Sequence, residues 1–127
     1  MLVLDANALI RYILQDNIEM ADTVERELAT ERCFLPIEVV SEIIYVLVKL
    51  YGVEREVAAD TMKQLLKTEN IVVSEVAVLD AGLSAFAQTK LDFVDCLLAG
   101  YVEVYNWRVL TFDKALLKYV NQHPSNR

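Results

Sequence analysis

Histidine, cysteine, proline, glycine and positive charge are all scarce in this 127-residue chain, and each shortage removes a class of function. The single histidine, His123, stands in a polar C-terminal stretch, residues 121–127, which reads as a flexible tail. Catalytic triads built on histidine and histidine-bound zinc are therefore not expected. Cys33 and Cys96 are far apart and follow no metal-ligand spacing, so both read as small buried hydrophobes rather than as a disulfide. Three glycines and two prolines leave little room for long loops, and no linker, repeat or low-complexity stretch interrupts the chain. No apolar run reaches the roughly 18 residues that a membrane-spanning helix needs. The N-terminal MLVLDANALIRYILQD carries an early aspartate and no basic leader, so no signal peptide is expected and the cytoplasm is the expected location. Twelve Lys and Arg against nineteen Asp and Glu give a net charge of −7. A general nucleic-acid binder presents a basic face, so this balance predicts weak non-specific RNA affinity. It is compatible with an enzyme whose acids are gathered at one site, and with a basic partner segment.

What the chain does have is apolar residues, 55% of the total, enough for the core of a single domain over residues 1–127. Met1-Leu2-Val3-Leu4 is a short apolar run that ends at Asp5 and reads as a buried strand, followed by a helix over 7–15. Asp16-Asn17 breaks it, and Ala21, Val24 and Leu28 recur at helical spacing to about residue 30. Cys33-Phe34-Leu35 reads as a second strand, ended by Pro36, which suits the first turn of a helix running to Tyr51 with Gly52 as its stop. Val57, Ala58, Met62, Leu65 and Leu66 mark the next helix, and Ile71-Val72-Val73 a third strand. Ser74 is a candidate cap for a helix over about 75–89. Asp92 opens another to about Asn106, Val109 and Leu110 centre a fourth strand, and Asp113 opens a last helix to about Val120. Short apolar strands alternating with helices predict a parallel sheet in a layered α/β domain.

Four acids carry the chemistry: Asp5, Glu42, Asp95 and Asp113. Asp5, Asp92 and Asp113 each have a plain alternative as a helix N-cap, and Asp95 as an acid in a first helical turn. Glu42 resists that reading. It lies within PIEVVSEIIYVLVKL, with apolar residues on nearly all helical faces, and an unpaired buried carboxylate there would cost several kcal/mol or protonate. It needs a cation or a way to face solvent; Glu38, one turn earlier, reads as a surface residue. In open α/β sheets, sites form beyond the carboxyl ends of strands where strand order reverses. Asp5 follows strand one and Asp113 follows strand four, so neighbouring strands would bring them together, with Asp95 and Glu42 reaching in from adjoining helices. Clustered carboxylates repel unless a cation neutralises them, and an all-oxygen donor set favours Mg²⁺ or Mn²⁺ over zinc. Activation of a water and stabilisation of a phosphoryl oxygen, as phosphodiester hydrolysis requires, is the chemistry such an ion supplies.

The segments LVLDANALIRYIL, SEIIYVL and LDFVDCLLAGYVEVYNWRVLTFDKAL, in that order over almost the whole chain, resemble the PIN-domain nucleases. They are most similar to the VapC-like toxins of bacterial and archaeal toxin–antitoxin pairs. The resemblance implies a three-layer α/β/α fold with a parallel sheet in the order 3-2-1-4, and a metal site lined by Asp5, Glu42, Asp95 and Asp113. It implies Asn7 as the residue that orients Asp5 or a water, Thr111 as a hydroxyl beside the last acid, and Asp92 as an accessory position whose cap role is the stronger reading. Arg11 falls where many relatives carry a basic residue, which facing the site would hold a phosphate bidentately, with a surface helix cation as the alternative; Lys114 and Lys90 rank below it. Tyr105 and Trp107 are candidates for base stacking, with core or dimer packing the stronger reading. One departure is Tyr105-Asn106-Trp107 where relatives often have glycine; asparagine takes the same left-handed turn.

The implied function is a Mg²⁺- or Mn²⁺-dependent endoribonuclease, the toxin of a two-protein module, with a small antitoxin protein across its groove and a homodimer formed through the helices of 37–66. A housekeeping RNA-processing nuclease and a non-catalytic binding module on the same fold are the alternatives. A phosphotransfer receiver domain is set aside, because Asp5 is unpaired and Ile71-Val72-Val73 leads to Ser74 and Glu75 with no aspartate.

Overall fold

The computed structural model describes residues 1–123. Of the expected tail, residues 124–127 lie outside the described residues, while Asn121 and Gln122 belong to the last helix. Three strands, β1 (Leu2–Val3), β2 (Cys33–Phe34) and β3 (Ile71–Val72), form a parallel sheet in the order β1-β2-β3. Leu2 stands opposite Cys33, and Cys33 opposite Ile71. The helices are α1 (Ala6–Leu14), α2 (Ile18–Thr30), α3 (Ile37–Tyr45), α4 (Arg55–Leu66), α5 (Val76–Gln88), α6 (Phe93–Tyr105) and α7 (Lys114–Gln122). None is long and apolar enough to cross a membrane.

Local chemistry sets most of the boundaries. Asn17 caps α2 by accepting a hydrogen bond from the Met20 amide at 3.0 Å. Asn106 takes the left-handed conformation, φ 58°, that ends α6, the role expected of it. Ser74 does not cap α5; Glu75 stands at the N-cap with φ 58°, and its carboxylate accepts the Tyr105 hydroxyl instead of a backbone amide. The single helix expected from Pro36 to Tyr51 is α-helical only to Tyr45. It then widens into a π-helical turn, Val46–Leu50, in which the Tyr51 amide reaches back to the Val46 carbonyl at 3.2 Å.

The core gathers Leu9, Leu35, Val40, Ile43, Ile44, Leu47, Met62, Leu79 and Leu83, all essentially buried, so α3 lies at its centre. Cys33 and Cys96 are buried and free, as the small-hydrophobe reading requires. Helices α5 and α6 approach almost backbone to backbone through two glycines. A Cβ on Gly100 would stand 2.7 Å from the Val78 carbonyl oxygen, and one on Gly82 3.1 Å from Leu97.

The fourth strand does not form. Among the described residues the sheet has three strands, matching the 3-2-1 part of the expected order, while residues 106–113 run irregularly. The reason is cover. Leu110 is 91% and Phe112 93% exposed, so neither buries a face against a helix, and only Val109 packs against the core. Ladder hydrogen bonds contribute little net stability when no side-chain burial accompanies them.

Candidate metal centre

Each acid is presented by an identifiable local device. Asp5 follows β1 and caps α1, its Oδ1 accepting from the Ala8 amide at 2.8 Å. Asp113 caps α7 in the same way, its Oδ1 accepting from the Leu116 amide at 2.9 Å. In both, the cap occupies Oδ1 and leaves Oδ2 outside that bond. Thr111 Oγ1 accepts the Asp113 amide at 3.1 Å, so it steadies the backbone of Asp113 rather than its carboxylate. Asp95 occupies the first turn of α6 and is partly buried.

Glu42 is not enclosed by its apolar neighbours. The helical period turns Val40, Ile43, Ile44 and Leu47 into the core and leaves Glu38, Glu42 and Tyr45 on the outer face. No polar or charged residue is buried among the described residues. Glu42 therefore meets its desolvation problem by facing solvent.

The supporting helices are contiguous: α1 packs on α3, α3 on α6, and α6 on α7. The Asp95 carboxyl is held above the usual range by burial first, then by the charges of Asp113 and Asp92. These three are thus neighbours, whereas Asp5 and Glu42 are not drawn into a cluster with them. Among the described residues, no group of three or more His, Cys, Asp or Glu side chains stands close enough to hold a metal ion together. The donor set fits a hard cation held by one or two carboxylates with retained waters; it does not form a closed cage.

The other expected residues divide. Arg11 is committed within the chain, to Asp16 at 2.6 Å and to the Tyr51 hydroxyl at 3.0 Å. Lys114 and Lys90 are exposed, and so is Asn7, which makes no hydrogen bond to Asp5 among those described. Tyr105 and Trp107 stack on each other at 4.5 Å, with Tyr101 stacked alongside at 6.0 Å from Trp107. Asp92 holds the N-cap position of α6 but makes no side-chain capping bond, contrary to the cap role expected of it. Its carboxylate instead lines a cavity of about 360 Å³ beside Asp95.

Arg55 is a residue that the sequence reading passed over. Its guanidinium donates to the Phe86 carbonyl at 3.1 Å and to the Leu91 carbonyl, and lies 3.6 Å over the Phe86 ring. Burial lowers its pKa. It ties the start of α4 to both sides of the α5–α6 turn, just ahead of Asp92 and Asp95. A cation in the first turn of a helix opposes the helix dipole, and that mismatch was the available signal.

The family profile of the PIN domain matches residues 2–121. Neither a curated protein nor a solved structure matches the chain.

Proposed function

Because this chain belongs to the PIN domain family over residues 2–121, we propose that it is a Mg²⁺- or Mn²⁺-dependent endoribonuclease, and the toxin of a toxin–antitoxin pair. Proteins with this domain are commonly metal-dependent nucleases. The observation that carries the reading to these residues is the strained carboxylate Asp95, beset by Asp113 and Asp92. A divalent cation bound beside Asp95 would offset both its burial and the like charges that face it.

In this reading Asp95 and Asp113 hold the ion, with Asp5 and Glu42 completing the site from α1 and α3. Asn7, Thr111 and Asp92 support it, Lys114 meets substrate phosphate, and Arg11 does so by exchanging Asp16 for it. When bound, the divalent ion supplies charge neutralisation at the phosphoryl group and acidifies water. The protein's own part is positional: the caps fix Asp5 and Asp113 through Oδ1, and Thr111 fixes the backbone ahead of α7. A homodimer through Leu50 and Val57, both exposed, and an antitoxin bearing basic side chains belong to the same proposal.

The test is cleavage of a mixed RNA panel by the purified chain with Mn²⁺ or with chelator, beside Asp5→Asn and Asp95→Asn. Cutting that needs the metal and is lost in both variants is the expected result. Cutting that survives chelator, or survives both variants, overturns it. Growth arrest on unopposed expression separates a toxin from a housekeeping nuclease. The alternative is a non-catalytic PIN-fold binding module, which calorimetry showing no Mn²⁺ uptake by the wild type would establish.

A further inference from the structure

The cavity beside Asp95 differs in character from the acidic site that it adjoins. It opens between the π-helical turn and the start of α6, flanked by the exposed Tyr45 and Val94, with buried Phe93 at its floor. Lys49 stands at its margin on the π-helical turn, and Asp92 and Asp95 on the α6 side. About 360 Å³ falls within the roughly 300–1,000 Å³ of small-ligand sites, and a mainly apolar lining with a few convergent polar groups is their usual composition.

Three features mark it as built. The deep end is braced: Phe86 is buried, meets Phe93 edge to face at 5.7 Å, and carries the Arg55 guanidinium 3.6 Å above its ring. One wall is re-aimed: the switch from α to π winding after Tyr45 sets where Val48 and Lys49 point, and both line the cavity. One acid is not used in capping: Asp92 sits at a helix N-cap without a side-chain capping bond, and it is among the residues that line the cavity.

We propose that this cavity seats one unpaired nucleobase of the substrate, stacked on Tyr45 with its edge toward Val94, its N–H groups on Asp92 and its phosphate toward Lys49. The assignment takes its substrate class from the nuclease reading above. A nucleobase has what these walls ask for: two apolar faces, an edge of N–H donors for a carboxylate, and a pendant phosphate for a lysine. A purely apolar ligand would leave Asp92 and Lys49 unanswered. The shared wall residue Asp95 places a base bound here directly beside the metal-binding acids, so the adjoining phosphodiester reaches them.

The test is a titration of ¹⁵N-labelled wild type with each of the four nucleoside 5′-monophosphates in chelator, followed by steady-state cleavage by Val94→Trp and Tyr45→Ala. Val94 and Tyr45 are 58% and 61% exposed, so both variants fold, and either one suffices. Amide shifts at 45–49 and 92–95 without metal, lost in Val94→Trp, are expected. KM should rise about tenfold in either variant, with kcat changed much less. Val76→Ala, an exposed apolar residue outside the cavity, leaves KM alone. The assignment is overturned if no nucleotide shifts those amides, if KM is unmoved in both variants, or if wild type sediments as a dimer that both variants dissociate. The last outcome would mean that a second copy covers the cavity. Nucleotide binding by a wild type that never cleaves RNA would sink the nuclease reading and leave the cavity assigned.

Discussion

Asp95 bears a desolvation cost and two like-charged neighbours at once, and the sign of that imbalance is testable. Its folded-state pKa lies above the unfolded value of about 3.9, so folding favours the protonated form. The stabilising contribution is fully present below about pH 4 and is lost as pH rises through the folded pKa. At neutral pH, in chelator, the ionised carboxylate therefore works against folding. Asp95→Asn should melt higher than wild type there, and the gap should close in acid; a variant that melts lower at pH 7 would contradict the grouping. Mn²⁺ should reverse the order, because an ion at a hundred times its Kd adds about 2.7 kcal/mol to the protein that binds it and nothing to the one that does not. The neighbouring residue gives a second reading of the same environment. Burial pushes the Cys96 thiol up to about 11, and burial also raises Cys33. Neither is then a thiolate near pH 8, so iodoacetamide should label both only after denaturation. Labelling of the native protein would mean that the α5–α6 interface opens.

The Cys96 environment depends on how closely α5 and α6 approach, and two glycines set that distance. In an isolated helix, Gly→Ala gains about 1 kcal/mol. At Gly100 the added methyl would press on the Val78 carbonyl oxygen at 2.7 Å, and overpacking of this kind costs about 1–3 kcal/mol. Gly100→Ala should therefore lower the urea midpoint despite its better propensity, with no change of slope; a rise would show that the helices part easily. That same pair shows where sequence legibility stops. Asp5, Asn106 and Asp113 were legible because a cap or a left-handed turn is decided within four residues. Helix-interior glycines say nothing until the facing helix is known. Between the two alternatives for Glu42, a cation or solvent, counting apolar neighbours along the chain could not choose; the helical period decides it by leaving one outward stripe for Glu38, Glu42 and Tyr45. The π-helical turn leaves no compositional mark in VLVKL, and Asp92 carries a cap sequence without the cap bond, so the cavity that they share was invisible from spacing. The strands at 33–35 and 71–73 were readable because apolar runs that short have one use in a core. The one at 109–110 has the same composition, but it lacks the cover that would make it a strand.

That missing cover leaves the whole molecule with an unusual surface. Among the described residues β1 pairs only with β2, and Val3 on β1 is 67% exposed. Leu110 and Phe112 stand almost wholly in solvent on the segment ahead of α7. An unpaired strand edge and exposed large apolar side chains are both templates for association. Opposing them is the net charge of −7, which repels copies at low ionic strength. The balance of these two forces has a definite salt dependence: screening shortens from about 30 Å at 0.01 M to about 8 Å at 0.15 M, removing repulsion while leaving apolar burial intact. Self-association should therefore strengthen as salt is added, the reverse of an assembly held by ion pairs. Sedimentation velocity across that range tests it on the intact chain. The double substitution Leu110→Lys and Phe112→Ser should weaken association beyond the Leu50–Val57 dimer at every salt concentration while leaving the melting temperature unmoved, since neither side chain is buried. Were the variant to melt several degrees lower, the segment would be packed in solution, and its apolar residues would belong to the domain's own core rather than to a contact between copies. Were association instead to weaken with salt, charge pairing and not apolar burial would hold the copies together.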